Sequence, residues 1–309
     1  MSTLFVTHRA SLAHDMGPEH PERPDRIRAI ERILENERFQ TLLREQAPAA
    51  DREAILRCHP EQYVSALERA SPAEGIVELD GDTAMMPATL EAALRSAGGA
   101  VLAVDEVMHK RVSNAFVAMR PPGHHAERAT PMGFCFFNNA AIAARHAQKA
   151  FGAERVAIMD FDVHHGNGTQ DILWSDPTIM YASTHEMPLY PGTGAASERG
   201  EYGTIVNAPL FAGADGEAFR EAMEVAVLPR IEEFAPDLVI ISAGFDAHRL
   251  DPLANLRLTE ADFAWATRKL MNIADKRANG RLVSLLEGGY NLESLARSTA
   301  AHVMTLMGI

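Results

Sequence analysis

Cysteine, positive charge and long apolar runs are all scarce in this chain of 309 residues, and each scarcity excludes a class of protein. Two cysteines, Cys58 and Cys135, cannot build a disulfide framework, so a reducing compartment is expected. Lys and Arg number 29 against 42 acids, giving a formal net charge of −13 and a pI near 5.4. A general nucleic-acid binder would carry a clustered basic face instead. No segment approaches the roughly 20 apolar residues that span a bilayer, and the N-terminal residues lack the apolar core of a signal peptide. No repeat, low-complexity tract or linker interrupts the chain. The expectation is a soluble, cytoplasmic single domain over residues 1–309, with no nucleic-acid or membrane partner and an oligomeric state that one sequence leaves open.

What is present is concentrated in the run Asp160-Phe161-Asp162-Val163-His164-His165-Gly166-Asn167-Gly168-Thr169, which leaves the apolar stretch Val156-Ala157-Ile158-Met159. In extended backbone, alternate residues share a side. Asp160, Asp162 and His164 therefore face one way, and Phe161 and Val163 face the packing side. Two acids and an imidazole where a strand enters a glycine-rich turn read as part of an open metal site.

Short apolar strands alternate with helix-length segments along the chain. Strands are expected at Leu4–Val6, Ala115–Met119, Val156–Asp162, Thr178–Ala182, Leu238–Ser242 and Arg281–Leu286. Helices are expected at Pro24–Arg44, Thr89–Met108, Asn139–Phe151, Glu217–Phe234, Thr259–Ala274 and Leu292–Met307, with a capping-box start at Thr259 and Asp262. This alternation predicts a parallel sheet covered on both faces, with ligands bound beyond the carboxyl ends of its strands.

Polar clusters fall at those ends. Asp162 and His164 with Asp246 offer two carboxylates and an imidazole, which suit a divalent ion such as zinc with one position left open. The plainer alternative makes Asp246 a turn cap and His164 a hydrogen-bonded loop residue. His124 and His125 follow a stiff Pro-Pro-Gly turn, and can serve as general base and acid or as further metal ligands. In Glu287-Gly288-Gly289-Tyr290-Asn291, Tyr290 can donate to an oxyanion, or be an ordinary turn tyrosine ahead of a helix capped by Asn291.

Taken in order, PPGHHA at Pro121–Ala126, GFCFFNN at Gly133–Asn139, DFDVHHGNGTQ at Asp160–Gln170, LYPGTG at Leu189–Gly194, SAGFDAH at Ser242–His248 and EGGYN at Glu287–Asn291 resemble the zinc-dependent histone deacetylase family. HPERPDRI at His20–Ile27 resembles its N-terminal signature, and Asn167 and Glu287 resemble the class II branch that includes bacterial amidohydrolases. The resemblance implies an arginase-like α/β fold with a central, mostly parallel sheet of about eight strands. It implies one catalytic zinc on Asp162, His164 and Asp246, with Asp160 orienting His124 and Asn167 orienting His125. An amide partner should leave His125 the less basic of the two.

The implied reaction is hydrolysis of an acyl-lysine-type amide, with the carbonyl polarised by zinc and Tyr290 and a water deprotonated with help from His125. Gly133, Phe134, Tyr190 and Gly288 would contact substrate, Leu253 would form the rim, Arg26 would reach an inner cavity, and Asp82 would hold the substrate backbone. A structural potassium ion near Asp160, Asp162 and His164, with Ser183 contributing its hydroxyl, is implied as well. Tyr190 stands where the family usually has phenylalanine. Leu253 stands where its polyamine-selective eukaryotic branch has glutamate, which favours acyl-lysine or a neutral amide over an acetylpolyamine. The competing classes are a dimanganese ureohydrolase of similar fold and a non-catalytic acyl-lysine binding protein.

Overall fold

Four strands buried at every position form the centre of the molecule: β3 (Asn114–Val117), β4 (Val156–Asp160), β7 (Leu238–Ala243) and β8 (Leu282–Leu286). The computed structural model describes residues 2–309. With β1 (Thr3–Thr7), β2 (Leu43–Gln46), β5 (Ile179–Glu186) and β6 (Ile205–Leu210), they make one eight-stranded sheet in the order β2-β1-β3-β8-β7-β4-β5-β6. Every neighbouring pair is parallel. Alternate side chains enter opposite layers, as the pleat requires. Ala115, Val117, Val156, Ile158, Leu238, Ile240, Val283 and Leu285 pack in the layer that also holds residues of helices Thr89–Met108 and Asn139–Phe151. Phe116, Ala157, Met159, Val239, Ile241, Leu282 and Leu286 pack in the layer of helices Glu260–Arg277 and Leu292–Met307.

Parallel pairing brings all the strand carboxyl ends to one edge. β3, β8, β7 and β4 are spatial neighbours, so the four polar clusters that follow them meet although they are far apart in sequence. The chain bond pattern of β4 ends at Asp160, two residues earlier than expected. The alternation nonetheless continues, with Phe161 and Val163 in the core layer opposite the acids.

Two expectations need correction. Pro24–Arg44 is not one helix: it is helix Asp25–Ile33, a 3-10 turn at Glu37–Phe39 and the start of edge strand β2. β2 reads LREQ and is exposed throughout, so it carries no apolar signal. Glu217–Phe234 is two helices, Gly216–Ala222 and Leu228–Phe234, joined by a π-helical turn at Met223–Val227. Pro229 lacks an N–H to donate and would clash within a regular ladder, which favours that bulge. Strand β6 had no expectation at all. By contrast, the capping box at Thr259 and Asp262 is formed.

Beneath the sheet edge lies a dry ionic cluster. Glu22 binds Arg26 at 3.0 Å and Arg120 in bidentate fashion, and all three side chains are fully buried. Burial alone would raise the Glu22 carboxyl, but Arg120, His14 and Arg26 hold it well below the usual carboxylate range. Glu22→Ala leaves two guanidinium groups without their counter-ion, and should lower the unfolding free energy by about 3–5 kcal/mol. Urea denaturation checks this; a loss below about 1 kcal/mol would contradict it.

Candidate metal and catalytic site

Asp162, His164 and Asp246 converge with one ligand atom each, all within 4.8 Å of one another and all buried. His164 Nδ1 lies 3.2 Å from both Asp162 Oδ1 and Asp246 Oδ2. The other carboxylate oxygens are fixed from behind: Gly288 N donates to Asp162 Oδ2 at 2.8 Å, and Val163 N to Asp246 Oδ1 at 2.9 Å. A Cβ on Gly288 would lie 2.0 Å from Asp246 Oδ2, so only glycine fits there. Burial and Asp162 push the Asp246 carboxyl up to about 7, while the two acids outweigh burial and raise His164 to about 10. Negative charge thus crowds a buried pocket in which Asp246 Oδ2 and Asp162 Oδ1, the latter also accepting His164 N at 2.9 Å, face His164 Nδ1. That is the donor set and the electrostatic deficit that a divalent cation fits.

The two histidines beside it have unlike partners. His124 Nδ1 meets Asp160 Oδ2 at 3.0 Å, and that oxygen also accepts from the Tyr181 hydroxyl at 3.0 Å. His125 Nδ1 meets Asn167 Oδ1 at 2.9 Å. Glu127 accepts from Asn167 Nδ2 at 2.9 Å, which turns the amide oxygen toward His125 and makes Nδ1 the protonated nitrogen. Burial opposes charge on both rings. For His124 the charges of Asp162 and Asp160 prevail and raise the pKa well above the ordinary value. For His125, burial together with His124 and His164 lowers it well below. The expectation that His125 is the less basic ring agrees with this geometry.

A cavity of about 210 Å³ leads to these groups, lined by Asp82, His125, Gly133, Phe134, His164, Leu189, Tyr190, Leu253 and Tyr290. Gly133 and Phe134 both have positive φ, 55° and 69°, in a two-residue turn closed by reciprocal Met132 and Cys135 backbone bonds. Phenylalanine is strained in that region. Asp82 Oδ1 accepts Gly133 N at 3.1 Å, and Thr83 Oγ1 accepts Phe134 N at 3.0 Å, which holds the turn. Tyr190 packs edge-on against His125, and Phe134 against Tyr290.

Gly288, expected to contact substrate, and Arg26, expected to reach an inner cavity, are both absent from the lining of this cavity. Gly288 backs the metal-site carboxylates, outside the residues that line the cavity. Arg26 lies behind Tyr290, its guanidinium 5.0 Å from the ring centroid, and its Nε and Nη2 donate to the carbonyls of Gly289 and Glu287. Its Nη1 donates to the Glu22 carboxylate at 3.0 Å. Ser183 stands beside Asp160 in the sheet register, and its hydroxyl meets His185 Nδ1 at 2.8 Å.

A parallel α/β sheet with this site at its carboxyl edge matches known proteins throughout. Residues 20–306 match the histone deacetylase domain, and the chain belongs to that family. A probable deacetylase of Archaeoglobus fulgidus is 40% identical, the match covering 99% of this chain and 86% of the relative. The histone deacetylase-like amidohydrolase of Pseudomonas aeruginosa is 39% identical over 88% of this chain and 73% of its own. The crystal structure of the HDA15 HD domain superposes with a TM-score of 0.94 at 38% identity, covering 99% of this chain and 88% of that one. Among the described residues no helix is long and apolar enough to cross a membrane.

Sequence reading missed the anchoring carboxylates. Glu287 served there only as a branch marker. In the structure it is fully buried, its Oε2 accepting Gly123 N at 2.7 Å and His124 N at 3.1 Å, its Oε1 accepting the Ser242 hydroxyl at 3.0 Å. A buried acid directly after a core strand was the available signal. Glu287→Ala strands three buried donors and should cost about 2–4 kcal/mol of unfolding free energy. Glu287→Gln, which keeps an acceptor oxygen, should cost less. Equal stability of wild type and Glu287→Ala in urea titrations would refute the anchoring role.

Proposed function

We propose that this chain is a zinc-dependent amidohydrolase that removes an acetyl or similarly small acyl group from an acyl-lysine-type amine. One observation carries the reading. His125, His164 and Tyr290 line one narrow cavity, with Asp162 and Asp246 gathered on His164 and His124 beside His125, the two adjacent histidines having unlike partners. The names of the Archaeoglobus and Pseudomonas relatives point the same way.

Asp162, His164 and Asp246 would hold the ion. When bound, zinc supplies Lewis acidity toward an amide carbonyl and makes a water more acidic. The proton movements belong to the chain's own residues. His125, neutral and protonated on Nδ1, has its Nε2 lone pair available to take a proton from the attacking water. Tyr290 keeps its proton because burial pushes its pKa well up, so it can donate to the oxygen on which charge develops. His124, kept cationic by Asp162 and Asp160, delivers a proton to the departing nitrogen as the C–N bond breaks. The hydroxyl of water ends on the acyl carbon, and the amine leaves neutral or protonated.

Phe134, Leu189, Tyr190 and Leu253 give the cavity apolar walls suited to an unbranched aliphatic stem. Asp82 is the acid at this mouth, and its Oδ1 is already committed to Gly133 N and the Thr83 hydroxyl. That leaves a weak counter-charge for a distant ammonium and favours acyl-lysine or small neutral amides over acetylpolyamines. A structural potassium ion, with the Ser183 oxygen and main-chain oxygens near Asp160, Asp162 and His164 as ligands, belongs to the same proposal.

Turnover of an acetyl-lysine peptide should vanish on chelation and return with zinc. Tyr290→Phe should lower kcat by about 10²–10³ with little change in KM. Undiminished kcat in that variant would remove Tyr290 from the mechanism. The pH profile tests His125 separately. Activity needs the neutral ring, so it falls as pH drops through the His125 pKa, which the surroundings depress. Asn167→Asp, combined with Glu127→Gln to avoid paired carboxylates, places an anion on Nδ1–H and raises that pKa. The acid limb of kcat/KM should then move to higher pH by about one pH unit or more. A limb that stays put or moves down would exclude His125 as the base.

A further inference from the structure

The segment joining β7 to helix Glu260–Arg277 carries Asp246 near its start and Leu253 at the cavity mouth. Between them lies Asp251, a carboxylate only 7% exposed that the mechanism above does not use. Its Oδ2 accepts Tyr290 N at 2.7 Å and Asn291 N at 3.2 Å. Its Oδ1 accepts Leu253 N at 3.1 Å. The far end of the segment is tied down as well: Glu186 accepts Asn255 N at 2.8 Å and Asn255 Nδ2 at 2.7 Å.

We propose that Asp251 is a positioning residue, one carboxylate that clamps the backbone of Tyr290 to the backbone of the channel rim at Leu253. The inference rests on the reading of Tyr290 as the oxyanion donor. Gly288 and Gly289 before Tyr290 are held through Gly288 N on Asp162, Gly288 O on Phe245 N and Gly289 O on Arg26, whereas the N–H groups of Tyr290 and Asn291 themselves are held by Asp251. Arg26 supports the ring from behind, and Asp251 fixes the Cα from which the ring extends. A tilt of that backbone is magnified at the hydroxyl, where a displacement of about 1 Å can cost up to about a hundredfold in rate. The same carboxylate sets Leu253, so the height of the rim and the reach of the hydroxyl are fixed together.

Asp251→Asn keeps the shape but turns one acceptor into an NH2 group, which faces an N–H on one side of the clamp. The expected result is a fall in kcat of about 10- to 100-fold, with KM within about threefold and metal content unchanged. In a Tyr290→Phe background, Asp251→Asn should cause no further loss, because the group it positions is gone. The same proportional loss in both backgrounds, a loss confined to KM, or an unchanged kcat would overturn the proposal. If Asp251→Asn does not fold, Asp251→Glu, with both acceptors displaced by one methylene, enters the same cycle. Amide hydrogen exchange reads the clamp without turnover. Exchange at Tyr290 and Leu253 should accelerate together in the variant, and unchanged exchange refutes the clamp. Absence of turnover in the wild type would count against the proposed function, while the exchange result would still decide the clamp.

Discussion

Carboxylates taken out of water at one edge of a parallel sheet impose the constraint on which the site depends. Asp160, Asp162, Asp246 and Glu287 are fully buried and follow three adjacent strands, β4, β7 and β8. Charges in such a place persist only when hydrogen-bonded or paired. Each acid meets this by spending oxygens on nearby donors: Gly288 N and Val163 N for the metal-site pair, Gly123 N and His124 N for Glu287. The other oxygens of Asp162 and Asp246 face His164, Asp162 Oδ1 also accepting its main-chain N–H. The backbone bonds therefore do two jobs, holding irregular turns in place and selecting which oxygens are left for a cation.

The same economy separates the two histidines. Their rings lie with centroids 4.0 Å apart, tilted by 44°, so both cannot carry charge at low cost. The partner of each Nδ1 decides which one does. Asp160, itself backed by Tyr181, favours the imidazolium at His124; Asn167, oriented by Glu127, offers His125 no charge. Two adjacent residues of one type thus acquire opposite tendencies from neighbours, which is what acid–base division of labour requires.

How much of this was legible follows from how each part is encoded. The strand ends could be read because continuous apolar runs stop abruptly at polar clusters, and the parity of Asp160, Asp162 and His164 survives past the last strand bond. β2 could not be read, since LREQ at an exposed edge has no period of its own and is a strand only because β1 lies beside it. The π-helical turn before Pro229 hid within a run that is helical by composition. Within the site, residue types announced the metal set and the dyad. The roles of Gly288, Arg26, Glu287 and Asp251 depend on which backbone atoms arrive from other strands, information that a linear sequence carries only through the fold. Arg26 illustrates this: a basic residue in a motif suggested a ligand, and the structure surrounds it with carbonyls and Glu22.

Chemistry and selectivity are supported differently. The metal set and the dyad stand on or directly after core strands, whereas every wall of the channel is a turn. Each of those turns is held by an acid acting on main-chain N–H groups: Asp82 on Gly133, Asp251 on Leu253, Glu186 on Asn255, and Glu198 on Gly194 and Ala195 in the segment that carries Tyr190. Acids near a channel mouth would ordinarily be taken as recognition sites for a cationic substrate. Here most of those oxygens are taken by main-chain N–H groups, and of these acids only Asp82 lines the channel, beside Phe134, Leu189, Tyr190 and Leu253. An acidic chain can therefore offer a largely uncharged entrance, and the net charge of −13 is a poor guide to what enters it.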